Sequence, residues 1–110
     1  MRKNETGVTI TVGSGFDMSA GGSTLLLKMK APGGTEKDVV PTLNTSAKTI
    51  PVEQRVGDLA GLTQFEANES VDYLTLAGDI DEIGRWTAQI FFTAGSQLLK
   101  STVTSFDVTP

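Results

Sequence analysis

Three carboxylates that lie close together in the sequence are the side chains best suited to bind a metal ion. Asp79, Asp81 and Glu82 follow Gly78, and calcium sites are built from oxygen ligands of this kind. An EF-hand, however, needs a longer loop with a distal Glu, and Gly84 comes too soon for that arrangement. We therefore interpret the segment as a solvated turn in which Asp79 caps one helical turn, and we expect neither a metal ion nor another cofactor.

The chain contains no His and no Cys, which removes most of the side-chain chemistry that small enzymes use. Without them there is no Ser-His-Asp or Cys-His catalytic group, no zinc-thiolate site and no disulfide. A glycosidase would need two carboxylates flanking a substrate cleft, for which 110 residues leave little room. We expect a protein that is not an enzyme.

Charge and hydropathy argue against nucleic acid and membranes as partners. The net charge of -4 opposes binding to polyanions. Apolar runs such as residues 25–27 are far shorter than the roughly 20 residues of a membrane-spanning helix. The basic start at Arg2 and Lys3 lacks the apolar segment of a Sec signal peptide, so we expect no export by that route. Glycine-rich stretches at residues 13–15 and 21–24 lack the features of a phosphate-binding loop and are interpreted as ordinary turns.

Strand-like alternation accounts for most of the chain. Thr occurs 15 times and Gly 12 times, and Thr-rich alternation interrupted by Gly is typical of strands and turns. Turn signals at 32–34 and at Gly95 predict hairpins. The segment 97–108 is predicted as one long strand or two broken ones. The other predicted strands are 7–12, 24–31, 36–43, 48–52, 69–76 and 85–93.

This spacing of strands predicts an all-β fold. We expect a single domain over residues 1–110, an immunoglobulin-like (Ig-like) β-sandwich of about seven antiparallel strands. An irregular insertion is expected around residues 44–68, where Pro51 and polar residues interrupt any period. A closed β-barrel is the competing architecture, because a strand pattern alone does not fix closure.

The phase of the alternation separates core residues from candidate interface residues. Trp86 shares its face with other apolar residues and is expected in the core. Leu26 and Phe91 lie on the faces opposite the main apolar sets of their strands, where exposed apolar side chains often mark an interface. A strand buried on both faces, or a local bulge, would explain them equally well. With the terminal segment Val8 to Val12 added, the predicted interface residues are Leu26, Phe91, Val8, Ile10 and Val12.

The second half of the chain also resembles a known family. The matching stretches are Asp72-Tyr73-Leu74-Thr75-Leu76, Asp79-Ile80-Asp81 before Gly84-Arg85-Trp86-Thr87-Ala88-Gln89, a hairpin at Gly95, and Ser105-Phe106-Asp107-Val108. They are similar to the Ig-like N-terminal domain of baseplate upper proteins of tailed bacteriophages and to short stand-alone relatives.

The resemblance implies a non-enzymatic structural component of a bacteriophage virion. Such a protein would be a tail or baseplate component, or a capsid decoration or cement protein, assembled in the host cytoplasm. Its partners would be copies of itself and other phage structural proteins, without nucleic acid or membrane. It would be oligomeric in the virion and would offer no catalytic residues.

An alternative is an Ig-like adhesin module that binds carbohydrate or a host surface. Its loops at 58–64 and 79–82 would hold a glycan or calcium. Exposed aromatics that stack on sugars are scarce in this chain, with Tyr73 the one obvious candidate outside the predicted core.

Overall fold

A computed structural model describes residues 1–19, 24–55 and 57–110 and confirms an all-β fold. Within these ranges no helix is long and apolar enough to cross a membrane. Two short 3-10 helices, Val52–Gln54 and Gly57–Leu59, accompany the strands. The strands are β1 (Thr9–Gly13), β2 (Thr24–Lys30), β3 (Glu36–Val39), β4 (Thr42–Leu43), β5 (Lys48–Thr49), β6 (Gln64–Phe65), β7 (Ser70–Leu74), β8 (Gly84–Ala94), β9 (Gln97–Lys100) and β10 (Thr104–Val108).

The strands form two main sheets and a separate two-stranded sheet, all with antiparallel pairing. The larger sheet has the order β10-β8-β2-β3, and β9 pairs with the second half of β8. The smaller sheet has the order β1-β7-β4, and β5 pairs with β6 on its own. The central strand β8 is eleven residues long, so it can pair with β2 along one edge and with both β10 and β9 along the other.

One predicted strand is divided between the two sheets. Residues 36–43 were expected as a single partner of β2, but β3 pairs with β2 while β4 pairs with β7 in the smaller sheet. The chain changes sheets at Val40 and Pro41. Proline has no N–H to donate to a strand ladder, which is the physical reason for a break at this point.

The predicted hairpin turns at 32–34 and at Gly95 are confirmed. Gly34 and Gly95 have φ values of 98° and 61°, a conformation that favours glycine. Segment 97–108 forms two strands, the second of the two predicted options. The turn predicted at 21–24 lies largely in residues 20–23, outside the described residues.

Buried side chains from both main sheets form a single apolar cluster. Trp86, Leu27 and Val71 are fully buried within it, and alternate residues of β1, β2, β7 and β8 point into it. The remaining buried members of the cluster are Ile10, Val12, Met18, Met29, Ala31, Tyr73, Ile80, Ala88, Ile90, Phe92 and Val108.

The insertion predicted around residues 44–68 packs on the smaller sheet and buries apolar side chains of its own. Ile50 is fully buried and Phe65 is 8% exposed. Gln54 donates a hydrogen bond of 2.6 Å from Nε2 to the carbonyl of Thr11 on the edge strand β1. The Phe65 ring lies against Gly13, where a methyl group would come within 2.6 Å of Cζ. The segment is therefore held by specific contacts, although its strands are only two residues long.

We expect Gly13→Ala to destabilise the protein by about 1–3 kcal/mol, because the new methyl overlaps the Phe65 ring. Chemical denaturation followed by Trp86 fluorescence measures the change. The matched control is the same substitution in a Phe65→Ala background, where the ring is absent and the added methyl should cost far less. An equal cost in both backgrounds would contradict this packing.

Candidate functional site

The outer face of the larger sheet brings two predicted interface residues together. Leu26 on β2 and Phe91 on β8 are direct cross-strand partners, and both are half-buried. On the next strand, Lys100 is the partner of Phe91, and Leu98 lies on the same face with 53% exposure. The surface formed by Leu26, Lys28, Phe91, Leu98 and Lys100 is named the Phe91 face.

Two lysines flank the aromatic ring at the centre of the Phe91 face. The ammonium groups of Lys28 and Lys100 each lie 5.0 Å from the centroid of the Phe91 ring. Cation–π contacts of this kind contribute about 0.5–1 kcal/mol at exposed sites. Lys28 also lies 3.9 Å from a carboxylate oxygen of Glu36 and of Asp38 on β3. The face therefore presents an apolar strip with charged groups around it.

The register of β2 and β8, together with burial, shows whether Leu26 and Phe91 are exposed, buried on a second face of the strand, or displaced by a bulge. Pairing is continuous from Thr24 opposite Thr93 to Lys30 opposite Thr87, so no bulge turns either side chain. Both residues are less buried than their neighbours Leu27 and Phe92, which are 0% and 2% exposed. The outward position of both side chains follows from the strict alternation of a regular strand.

An open groove of about 340 Å³ adjoins the Phe91 face on the same sheet. Its lining is mixed in character, with long cationic side chains, one carboxylate and neutral polar groups around a single apolar residue. Val103, which is 57% exposed, is that apolar residue. The lining residues are Lys28, Lys30, Glu36, Thr87, Gln89 and Val103.

The structure corrects the assignment of the β1 side chains to an interface. Ile10 and Val12 are 6% and 0% exposed because they point between the two sheets. Val8, just before β1, is half-buried, and its N–H donates to Thr75 Oγ1 at 3.0 Å. Among the predicted interface residues, Leu26 and Phe91 are the pair that lies on an outer face.

Sequence reasoning missed Leu98 and Lys100 as members of this surface. Their alternation within 97–108 shows that they share a face, but the sequence gives no sign of which strand lies beside them. That information comes from the pairing of β9 with β8, which sets Lys100 opposite Phe91.

The three carboxylates after Gly78 do not converge on one point. Asp79 accepts hydrogen bonds from the hydroxyl of Tyr73 and, at 2.7 Å, from the N–H of Leu76. Asp81 pairs with Lys37 at 3.2 Å, and Glu82 accepts the N–H of Gly33 at 3.1 Å. The described residues contain no group of three or more His, Cys, Asp or Glu side chains that could hold a metal ion.

The prediction that Asp79 caps a helical turn after it is wrong. Residues 77–83 form turns and bends without a helix. The Asp79 carboxylate instead accepts the N–H of Leu76, three residues before it, because the chain folds back at Gly78 with φ of 82°. The acidic turn therefore closes on itself and on β7.

The ammonium group of Lys37 holds this turn against the larger sheet. Its Nζ donates to the carbonyls of Gly78 and Asp79, both at 2.9 Å, and also pairs with Asp81. The same Nζ lies 5.5 Å from the centroid of the Trp86 ring. Each proton of the ammonium group has an acceptor within reach, which explains why a half-buried lysine is tolerated here.

A second polar cluster lies on the outer face of the smaller sheet around Asp72. Burial acts to raise the pKa of Asp72. Hydrogen bonds donated by Thr11 and Asn44 and the ion pair with Lys48 outweigh burial and hold that pKa below its usual value. These partners come from β1 and from the 44–68 segment, so the cluster ties that segment to the sheet.

The remaining predicted loop and the chain termini have simpler surroundings. In the 58–64 loop, Leu62 is 49% exposed, and the side chain of Asp58 lies outside the described part of the chain. The first residues pair with the last: Thr109 donates its N–H to the carbonyl of Met1, and Lys3 donates to the carbonyl of Thr109, both at 2.8 Å.

Comparison of the chain with known protein families, with curated proteins and with solved structures gives no match.

Titration of Tyr73 tests the geometry of the acidic turn. Burial raises the pKa of Tyr73 from 10.0 to about 12, and the hydrogen bond to Asp79 and its negative charge act in the same direction. The folded protein thus keeps a proton that the unfolded chain loses. We expect the contribution of Tyr73 to stability to be constant below about pH 10 and to fall by about 2 kcal/mol as the pH approaches 12.

The measurement is direct because the chain has one tyrosine. Phenolate absorbance of the folded protein should titrate near the raised pKa, and Tyr73→Phe should abolish both this signal and the associated loss of stability. A folded-state midpoint close to that of free tyrosine would contradict the buried Tyr73–Asp79 contact.

Proposed function

We propose that this chain is a non-enzymatic structural component of a bacteriophage virion that acts through protein contacts. It would serve as a tail or baseplate component, or as a capsid decoration or cement protein. The sequence resemblance around Gly84-Arg85-Trp86 supports this proposal. Two antiparallel sheets that share one core are also compatible with the finer proposal of an Ig-like sandwich.

The observation on which the proposal rests is the composition of the Phe91 face. Protein interfaces are enriched in aromatic side chains and contain apolar centres with polar rims. Phe91 and Leu26 form such a centre on a regular sheet, and Lys28 and Lys100 lie beside it. A rigid sheet face of this kind needs no induced folding to dock, which suits repeated assembly of many copies.

The alternative of a carbohydrate- or host-surface-binding adhesin has less support in the described residues. Tyr73, the aromatic expected to stack on a sugar, is 9% exposed. The carboxylates of the 79–82 loop already accept hydrogen bonds or ion pairs from the protein.

Substitutions on the Phe91 face should weaken assembly and leave the fold intact. Phe91→Ala removes the central ring, and Leu98→Asp places a charge on a side chain that is 53% exposed. We expect each to reduce incorporation into particles, or binding to the other structural proteins of the source, by at least about tenfold. Co-sedimentation with particles measures the effect.

Leu74→Asp is the matched control, because Leu74 is 56% exposed and lies on β7, in the other sheet. It should incorporate normally. Melting curves followed by Trp86 fluorescence should show that Leu98→Asp changes stability by no more than about 0.5 kcal/mol. Normal incorporation of both Phe91-face variants would overturn the proposal.

A further inference from the structure

We propose that the occupant of the Phe91 face is a second copy of this chain, packed face to face. The two copies are related by a two-fold axis that lies between the two faces, parallel to the strands and above the space between β8 and β2. The inference rests on the proposed assembly function and adds the partner and its orientation. Its basis is that the charged and apolar groups of this face become complementary when its two edges are exchanged.

The strand register determines which residues would meet across this axis. Because Phe91 and Leu26 are cross-strand partners, the rotation places Phe91 of each copy over Leu26 of the other. By the same rule Gln89 faces Lys28, and Thr87 faces Lys30. Each lysine of β2 therefore meets a neutral polar side chain of β8, and the apolar pair meets itself. The rotation also sets Lys28 of the two copies side by side across the axis, where Glu36 and Asp38, each 3.9 Å from Lys28 within its own copy, offset the like charge.

The two edges of the sheet carry opposite charges in neighbouring rows of the outer face. Lys100 lies on β9 at one edge, in the row of Phe91. Asp38 lies on β3 at the other edge, in the row of Lys28, one step of about 7 Å along the strands. The rotation exchanges these edges and brings Lys100 of each copy within side-chain reach of Asp38 of the other.

The complementarity arises twice in a two-fold pair, once at each edge. Asp38 and Lys100 are both exposed, so neither group has to leave a buried site. Within one copy, Lys28 lies 3.9 Å from Asp38, a distance too long for a tight ion pair. The Asp38 carboxylate can therefore accept a second cation.

The size of the face sets the expected strength of the contact. Four strand positions at a spacing of about 4.8 Å, over the roughly 23 Å length of the seven-residue β2, give a face of about 19 by 23 Å. A pair of such faces buries less than the roughly 800 Å² per partner of a standard interface. We therefore expect a dimer that dissociates at micromolar concentrations and forms fully where copies are concentrated by a particle.

A charge exchange tests this orientation. In K100E, carboxylates from the two copies oppose one another, and in D38K, ammonium groups do so; each variant alone should dimerise at least about tenfold more weakly than the unmodified chain. A mixture of equal amounts of K100E and D38K should recover a heterodimer, since each changed residue then meets an opposite charge. Sedimentation velocity measures the three dissociation constants, and Trp86 fluorescence confirms that both variants remain folded.

Three outcomes would overturn the inference: a wild-type chain that stays monomeric at millimolar concentration, single variants that dimerise normally, or a mixture that does not recover. If the wild-type chain stays monomeric but Phe91→Ala still reduces incorporation into particles by at least about tenfold, the proposed function stands without the dimer. If the wild-type chain stays monomeric and Phe91→Ala incorporates normally, the proposed function fails as well.

Discussion

The burial of one indole ring is the constraint on which most of this fold depends. Trp86 is completely buried, and its N–H donates to the carbonyl of Glu82 at 3.0 Å. Phe106 of β10 stacks on the ring with centroids 6.1 Å apart. On β3, Lys37 lies 5.5 Å from the ring centroid and is bonded to two carbonyls of the acidic turn, each at 2.9 Å. One side chain thus joins the central strand, both edges of the larger sheet and the turn that leads into β8.

The same burial determines what the outer face presents. Since residues of a regular strand alternate in direction, placing Trp86, Ile90 and Phe92 in the core forces Phe91 outward. The continuous register with β2 then sets Leu26 beside Phe91. An apolar surface strip is therefore a direct consequence of how the core is filled, and its lysine neighbours limit the area exposed to water.

Alternation in the sequence was sufficient to predict the local features of the fold. It placed Trp86 in the core, put Leu26 and Phe91 on the faces opposite the main apolar sets of their strands, and located both hairpin turns. It did not show that the 36–43 segment changes sheets or that β9 lies beside Phe91, because pairing between distant strands leaves no local pattern. The contacts of Phe65 with Gly13 also depend on tertiary packing.

The candidate site could be predicted only in part for the same reason. Alternation puts Ile10 and Val12 on one apolar face of β1, the kind of face that points into a core, and both side chains are buried there. Their assignment to an interface rested on the terminal position of the segment, which carries no information on burial. The acidic turn illustrates a second difficulty. Proximity of Asp79, Asp81 and Glu82 in sequence suggested a shared ligand, whereas partners from distant strands separate the three carboxylates.

The central claim is that the Phe91 face is covered in the assembled state. Lysine acylation, quantified by mass spectrometry in the free and the assembled protein, tests it most directly, because Lys28 and Lys100 lie on this face and Lys48 lies with Asp72 on the other sheet. We predict that assembly protects Lys28 and Lys100 and leaves the reactivity of Lys48 unchanged. Equal reactivity of Lys100 in the free and assembled protein would contradict the account.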